Sequence, residues 1–121
     1  MSYINSNTKF LGSIREIIRS RPGMLLGEND IDKLRLFADT TGLVEDLNHV
    51  TVDKRVFPIN WAEFESWVLK KTAWPRVDKS FSIAKVKAWQ DNVDPIKLWF
   101  SWYDEFQGEL KKKDYTEISE N

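Results

Sequence analysis

Apolar positions in this chain recur at helical spacing through most of its length. Phe10, Leu11, Ile14, Ile17 and Ile18 fall at i, i+1, i+4, i+7 and i+8, the pattern of one helix face. Thr8 supplies an N-cap, and Pro22-Gly23 stops the helix because proline disfavours helical geometry in the residue before it. A first helix is therefore predicted over residues 8–20. A second starts at the cap Asp30, with Ile31, Leu34, Phe37, Ala38 and Val44 on one side and Leu36, Leu43, Leu47 and Val50 widening the stripe. Thr40, Thr41 and Gly42 are weak helix formers, each costing up to about 1 kcal/mol relative to alanine, so a bend or break is expected near Gly42.

Residues 49–59 lose the period and end in Phe57-Pro58, which reads as a loop. Asn60 opens a third helix, with Glu63 in the reciprocal capping position and Ile59 placed to staple against Phe64. Trp61, Phe64, Trp67 and Val68 form its apolar face, and Trp74-Pro75 ends it. Ser80 is the expected cap of a fourth helix that buries Phe81, Ile83, Ala84, Ala88 and Trp89. Asp94-Pro95, a capping carboxylate followed by proline at the first helical position, opens the fifth. That helix carries Ile96, Trp99, Phe100, Tyr103, Phe106 and Leu110, with Leu98 and Trp102 off the main face, and its lysines 111–113 suit a helix C-terminus. Strand-like alternation is scarce. The expectation is an all-α, single compact domain of about five helices over residues 1–113, followed by a disordered polar tail over 114–121.

Composition narrows the function classes. A chain of 121 residues buries roughly two-thirds of the surface its unfolded form exposes, enough for one core. Six Trp, seven Phe and three Tyr supply large area per buried side chain. With no cysteine there are no disulfides, thiolate metal sites or thiol nucleophiles, which suits a reducing cytoplasm. No basic stretch leads into an apolar run at the amino terminus, and no transmembrane-length apolar run occurs. A net charge of -1 gives no electrostatic drive toward nucleic acid or an anionic membrane. The expected setting is cytoplasmic, with no nucleic-acid or membrane partner and no cofactor.

Candidate chemistry is thin. His49 is the single histidine; without cysteine or a second histidine it builds no ordinary zinc site. Acid–base work by His49 needs a positioned partner, for which Asp46 or Asp53 is available; the alternative is a loop histidine near a helix end. The acids Asp39, Glu45, Asp46, Glu63, Glu65, Asp104, Glu105 and Glu109 lack any metal-loop or Glu-x-x-His spacing, so they read as solvated helix faces or as an acidic protein-docking surface. Tryptophans that stack bases need interleaved basic residues, whereas Trp99 and Trp102 sit among Leu98, Phe100 and Asp104. Trp74, beside Arg76 on a loop, is the one aromatic not assigned to the core, and it is a candidate interface anchor.

The segment Arg21-Pro22-Gly23-Met24-Leu25-Leu26-Gly27 resembles a stretch near the nucleotide site of the DNA gyrase B ATPase family. The following helix lacks that family's Glu-x-x-x-Asn, and no Asp-x-Gly-x-Gly follows. The segment is instead expected to be a helix-to-helix turn in which Gly23 supplies a positive φ and Met24, Leu25 and Leu26 plug the core. Together with Ile31, Leu34, Phe37, then Phe64, Trp67, Val68, and finally Trp99 to Phe106, it resembles a family of small helical bacterial proteins with an Arg-Pro-Gly-Met-x-Leu-Gly turn. The resemblance spans residues 10–107; Leu25 departs from an aromatic in that pattern, which alters packing rather than fold. Members of that type resemble immunity proteins of polymorphic toxin and contact-dependent growth inhibition systems. The resemblance implies a non-enzymatic, monomeric antidote that binds a cognate toxin domain, often a nuclease, in a 1:1 complex and covers its active site or substrate groove. A small regulatory or scaffold module that binds another host protein is the alternative. Carboxylates on polar helix faces would complement a basic cleft, and Glu45, Asp46, Glu63 and Glu65, around the joint between the second and third helices, are the expected docking residues, with Trp74 as a separate candidate anchor. Replacing all four with neutral amides is expected to weaken toxin binding with little loss of thermal stability.

Overall fold

A computed structural model describes the backbone of residues 13–120 and the side chains of residues 13–112. Thr8, Phe10 and Leu11, assigned above to the first helix, lie outside these residues. No strand occurs among the described residues, and the class is all-α. Helix α1 covers 13–20, α2 Pro22–Leu26 and α3 Ile31–Leu47; a short 3-10 turn spans Val52–Lys54. Then follow α4 Trp61–Thr72, α5 Ser80–Asp91 and α6 Pro95–Glu120. Two compact units are traced along the chain, Met1–Asn60 and Trp61–Asn121.

In the first unit, Pro22 both ends α1 and starts α2. Arg21 donates its N–H to Ile17 at 2.7 Å, closing α1, while its own extended backbone sets Pro22 at the first position of the next helix. The segment expected to be an irregular turn is thus a five-residue helix. Its left-handed residue is Gly27, at φ 81°, with its N–H on the Gly23 carbonyl at 3.1 Å; Gly23 itself is helical. The core-plug expectation is corrected as well. Met24 is 65% exposed and Leu25 is exposed, because a helix this short turns its side chains outward, and none of its residues is buried.

Asp30 caps α3 as expected, accepting from the Asp32 N–H at 2.8 Å. The helix runs unbroken through Thr40, Thr41 and Gly42. Propensity costs of this size are outweighed when residues on both sides already propagate the hydrogen-bonded ladder. Ile31, Leu34 and Ala38 are buried, but Leu36, Leu43, Val44 and Leu47 are exposed, so the widened stripe is not one core face. The presumed loop at 49–59 buries Val56, Phe57 and Ile59. Val56 is held by side chains on both of its backbone groups: the Arg15 guanidinium of α1 donates to its carbonyl, and its N–H donates to Glu45 of α3 at 2.9 Å. Extended chain of this kind has no ladder of its own, so it is buried only where side chains satisfy its backbone.

In the second unit, α4, α5 and α6 pack around aromatic rings. Trp99 of α6 is fully buried. It stacks on Phe81 of α5 at 4.8 Å between ring centroids and meets Phe64 of α4 edge-on at 5.6 Å. Phe64 in turn meets Phe106 at 5.4 Å. Pairs of this geometry add about 0.5–1.5 kcal/mol each beyond area burial, and three helices share them here. The Trp99 indole N–H donates to Ser80 Oγ at 2.9 Å, so the ring's one polar group is satisfied inside the core. Asp94 caps α6 through the Ile96 N–H at 2.9 Å. The helix continues to Glu120, past Lys113 where the polar tail was expected to begin, although only Glu117 and Glu120 of the added residues are strong helix formers.

Two expectations for α5 are corrected. Ser80 is not its cap but its first residue, and Lys79 at the cap position makes no side-chain bond. Trp89 is 83% exposed rather than buried. Ala84 and Ala88 occupy the buried side, and Trp89 is turned about 100° from Ala88 by the helix.

Helices α3, α4 and α5 end in the same device. His49, Ala73 and Asn92 take φ values of 54°, 51° and 56°. The next N–H in each case returns to a carbonyl five residues back: Val50 to Glu45, Trp74 to Leu69 and Val93 to Ala88, at 3.0–3.1 Å. This is the Schellman arrangement, usually built on glycine.

Candidate functional site

The four acids expected to dock a partner divide between the two units, Glu45 and Asp46 in the first, Glu63 and Glu65 in the second. Three of them hold the fold. Glu45, half-buried, accepts from the Val56 N–H. Asp46 pairs with Arg55 at 2.6 Å, and the same guanidinium donates to the Val50 carbonyl at 3.0 Å, fastening the chain after α3.

Glu65 reaches from α4 to the start of α5 and accepts the Ser80 N–H at 2.6 Å. It supplies the cap that Lys79 does not, placing a carboxylate at a helix N-terminus where unpaired N–H groups and the helix dipole favour negative charge. Ser80 thereby links three helices: its N–H donates to Glu65 of α4 and its hydroxyl oxygen accepts from the Trp99 indole of α6. Glu63 is exposed on the first turn of α4.

Trp74 is half-buried, and its indole N–H donates to Asp78 at 2.6 Å. Arg76 donates to the same oxygen at 2.7 Å, and Lys87 lies 5.9 Å from the Trp74 ring centroid. The Arg76 hydrogen bond, followed by that of Trp74, holds the Asp78 carboxyl below its ordinary value. The polar handle a tryptophan anchor offers a partner is therefore already engaged within its own loop.

His49 is exposed and occupies the left-handed position after α3, so its place in the fold is a helix terminus. Among the described residues no group of three His, Asp or Glu side chains is placed to hold a metal ion. No described helix is long and apolar enough to cross a membrane. On α4 and α6, Trp67 donates to Glu109 at 2.5 Å, Lys71 pairs with Glu105, and Lys71 lies over the Trp67 ring at 5.4 Å. These contacts account for two further acids as helix-to-helix ties.

What the sequence reading missed is apolar. Leu36, Leu43 and Leu47 on α3 and Trp89 on α5 are left in solvent, with exposures of 59% to 83%. Their signal is present in the sequence as an apolar pattern too wide for one helix face to bury. No family model, curated protein or solved structure matches the chain.

Proposed function

We propose that this chain is a non-catalytic, cytoplasmic protein-binding module of the toxin-neutralising immunity type. It would act as a monomer that covers the active site or substrate groove of a cognate toxin domain in a 1:1 complex. The observation that carries the protein-binding part is the exposure of large apolar side chains: Leu47 at 71% and Trp89 at 83%, with Leu36 and Leu43 close behind. Large apolar side chains left in solvent within a unit, as the three leucines are on α3, mark protein interaction sites. The toxin part rests on the resemblance carried by Arg21 to Gly27, Phe64, Trp67, Val68 and Trp99 to Phe106. In the fold these residues form the α1–α2 junction and the aromatic core, which supports reading them as marks of a scaffold, with specificity carried on the surface. A nuclease toxin presents a basic cleft, and acids at the rim of an apolar contact would speed association and select the partner.

The test is co-expression of the full chain with the C-terminal domain of any large secreted-toxin gene found immediately upstream of its own. Restored growth and a 1:1 complex in size-exclusion chromatography with light scattering are the expected results. Unrelieved toxicity at matched expression overturns the immunity reading, and binding to another host protein in its place favours the scaffold alternative.

A further inference from the structure

Helix α3 is apolar on two opposite sides. Ile31, Leu34 and Ala38 are buried. About 180° round the helix, at about 100° per residue, lie Leu36, Leu43 and Leu47, which are 61%, 59% and 71% exposed. With exposed Thr40 they follow the alternating four–three–four spacing of a coiled-coil seam. A lone exposed leucine calls for no explanation, but three in register over three turns, with Thr40 on the turn between Leu36 and Leu43, form a strip.

One edge of this strip is acidic. Asp32, Asp39 and Asp46 recur every seven residues, all exposed, and each lies three or four residues from Leu36 or Leu43. Residues at those separations are neighbours on a helix surface, so the aspartates form a row along the leucines. Asp39 pairs with Arg35 at 3.8 Å and Asp46 with Arg55 at 2.6 Å. Asp39 and its Arg35 partner are both well exposed, so this weak surface pair can give way to a partner's cation. Asp46 keeps its tie to the mostly buried Arg55 and, 65% exposed, stays open to a further cation. The opposite edge carries Lys33 and Val44.

We propose that this face of α3 docks a protein segment bearing an apolar row bordered on one side by lysine or arginine. The leucines enter the partner's apolar strip while its basic residues lie over Asp32, Asp39 and Asp46, in the manner of an amphipathic helix in a groove. The inference rests on the protein-binding reading above and adds to it the surface and the partner's chemistry. A second copy fits less well: two α3 helices paired antiparallel across a two-fold axis set aspartate row against aspartate row, and paired parallel they set it against the Val44 edge, which offers Lys33 alone to three aspartates.

The experiment titrates the full chain, by calorimetry, with two synthetic helical peptides that share one leucine heptad row. One carries lysines on its flanks and the other glutamates. The lysine peptide is expected to bind at least about tenfold more tightly, with an affinity that falls as salt rises. Leu43→Asp should weaken it at least about tenfold and Asp39→Lys by a few-fold, both with unchanged melting temperature because these side chains are exposed. Failure of the lysine peptide to bind, equal affinity for both, or indifference to Leu43→Asp overturns the proposal. So does a dimer of the chain alone that Leu43→Asp dissociates, since the face then belongs to a second copy. Growth rescue separates the two readings: rescue that survives Leu43→Asp, with no peptide binding, removes this face and keeps the toxin assignment. Peptide binding without rescue does the reverse.

Discussion

Replacing Glu65 with alanine removes the carboxylate that caps α5 from α4. Its hydrogen bond to the Ser80 N–H is charge-assisted, and bonds of that kind contribute about 1.5–3 kcal/mol. A negative charge at a helix N-terminus adds about 0.3–1 kcal/mol. Against this, the second carboxylate oxygen, Oε2, is buried without a hydrogen-bond partner, and truncation relieves its desolvation, about 1 kcal/mol. The net loss is about 1.5 kcal/mol. A chain of 121 residues gains about 0.25 kcal/mol/K of unfolding entropy at its midpoint, so the melting temperature should fall by about 6 °C. Glu65→Gln keeps an oxygen acceptor and loses the charge, and should cost about a third as much. Urea and thermal denaturation of the full chain, followed by circular dichroism, measure both variants. An alanine variant within about 0.3 kcal/mol of wild type, or a glutamine variant as damaged as the alanine one, would refute the capping role. The result also bears on docking: an amide at position 65 should cost little stability whereas alanine should not, so any loss of binding in the alanine variant must be compared with its unfolding curve.

Ala73→Gly should stabilise the chain by about 1 kcal/mol in urea unfolding, because φ 51° carries a steric penalty for alanine that glycine lacks. Asp78 should titrate, by carboxyl NMR, below its ordinary value of 3.8, and Arg76→Ala should move the midpoint up toward it. The sign follows from the lowered native value: the stability contributed by ionised Asp78 is fully present above 3.8 and fades as pH falls through the native midpoint. A midpoint that Arg76→Ala leaves in place would show that the Arg76 contact does not set it.

How far the site was legible follows from where its chemistry lies. Glu45, Asp46 and Glu65 look in the sequence like ordinary polar-face acids, and nothing near them in the chain signals otherwise. Their partners Val56, Arg55 and Ser80 lie 9 to 15 residues away, across a loop whose path local pattern does not give. The acid row on α3, by contrast, is local: Asp32, Asp39 and Asp46 share one helix edge by spacing alone. What spacing could not give was that the leucines beside them stay uncovered.

Caps and periods were enough to determine the helical class and most helix ends. Asp30 and Asp94-Pro95 act within three residues of themselves, so their local chemistry is decisive wherever the chain goes. Tertiary structure decided which apolar faces are used. It buried Val56 and Phe57 from a stretch without helical period, and it left Leu36, Leu43 and Trp89 in solvent from stretches that have one. The physical reason is that periodicity states that a helix has an apolar side, whereas burial depends on another element arriving to cover it. A helix with two apolar sides, as α3 has, needs two such partners, and the fold of its own unit supplies one.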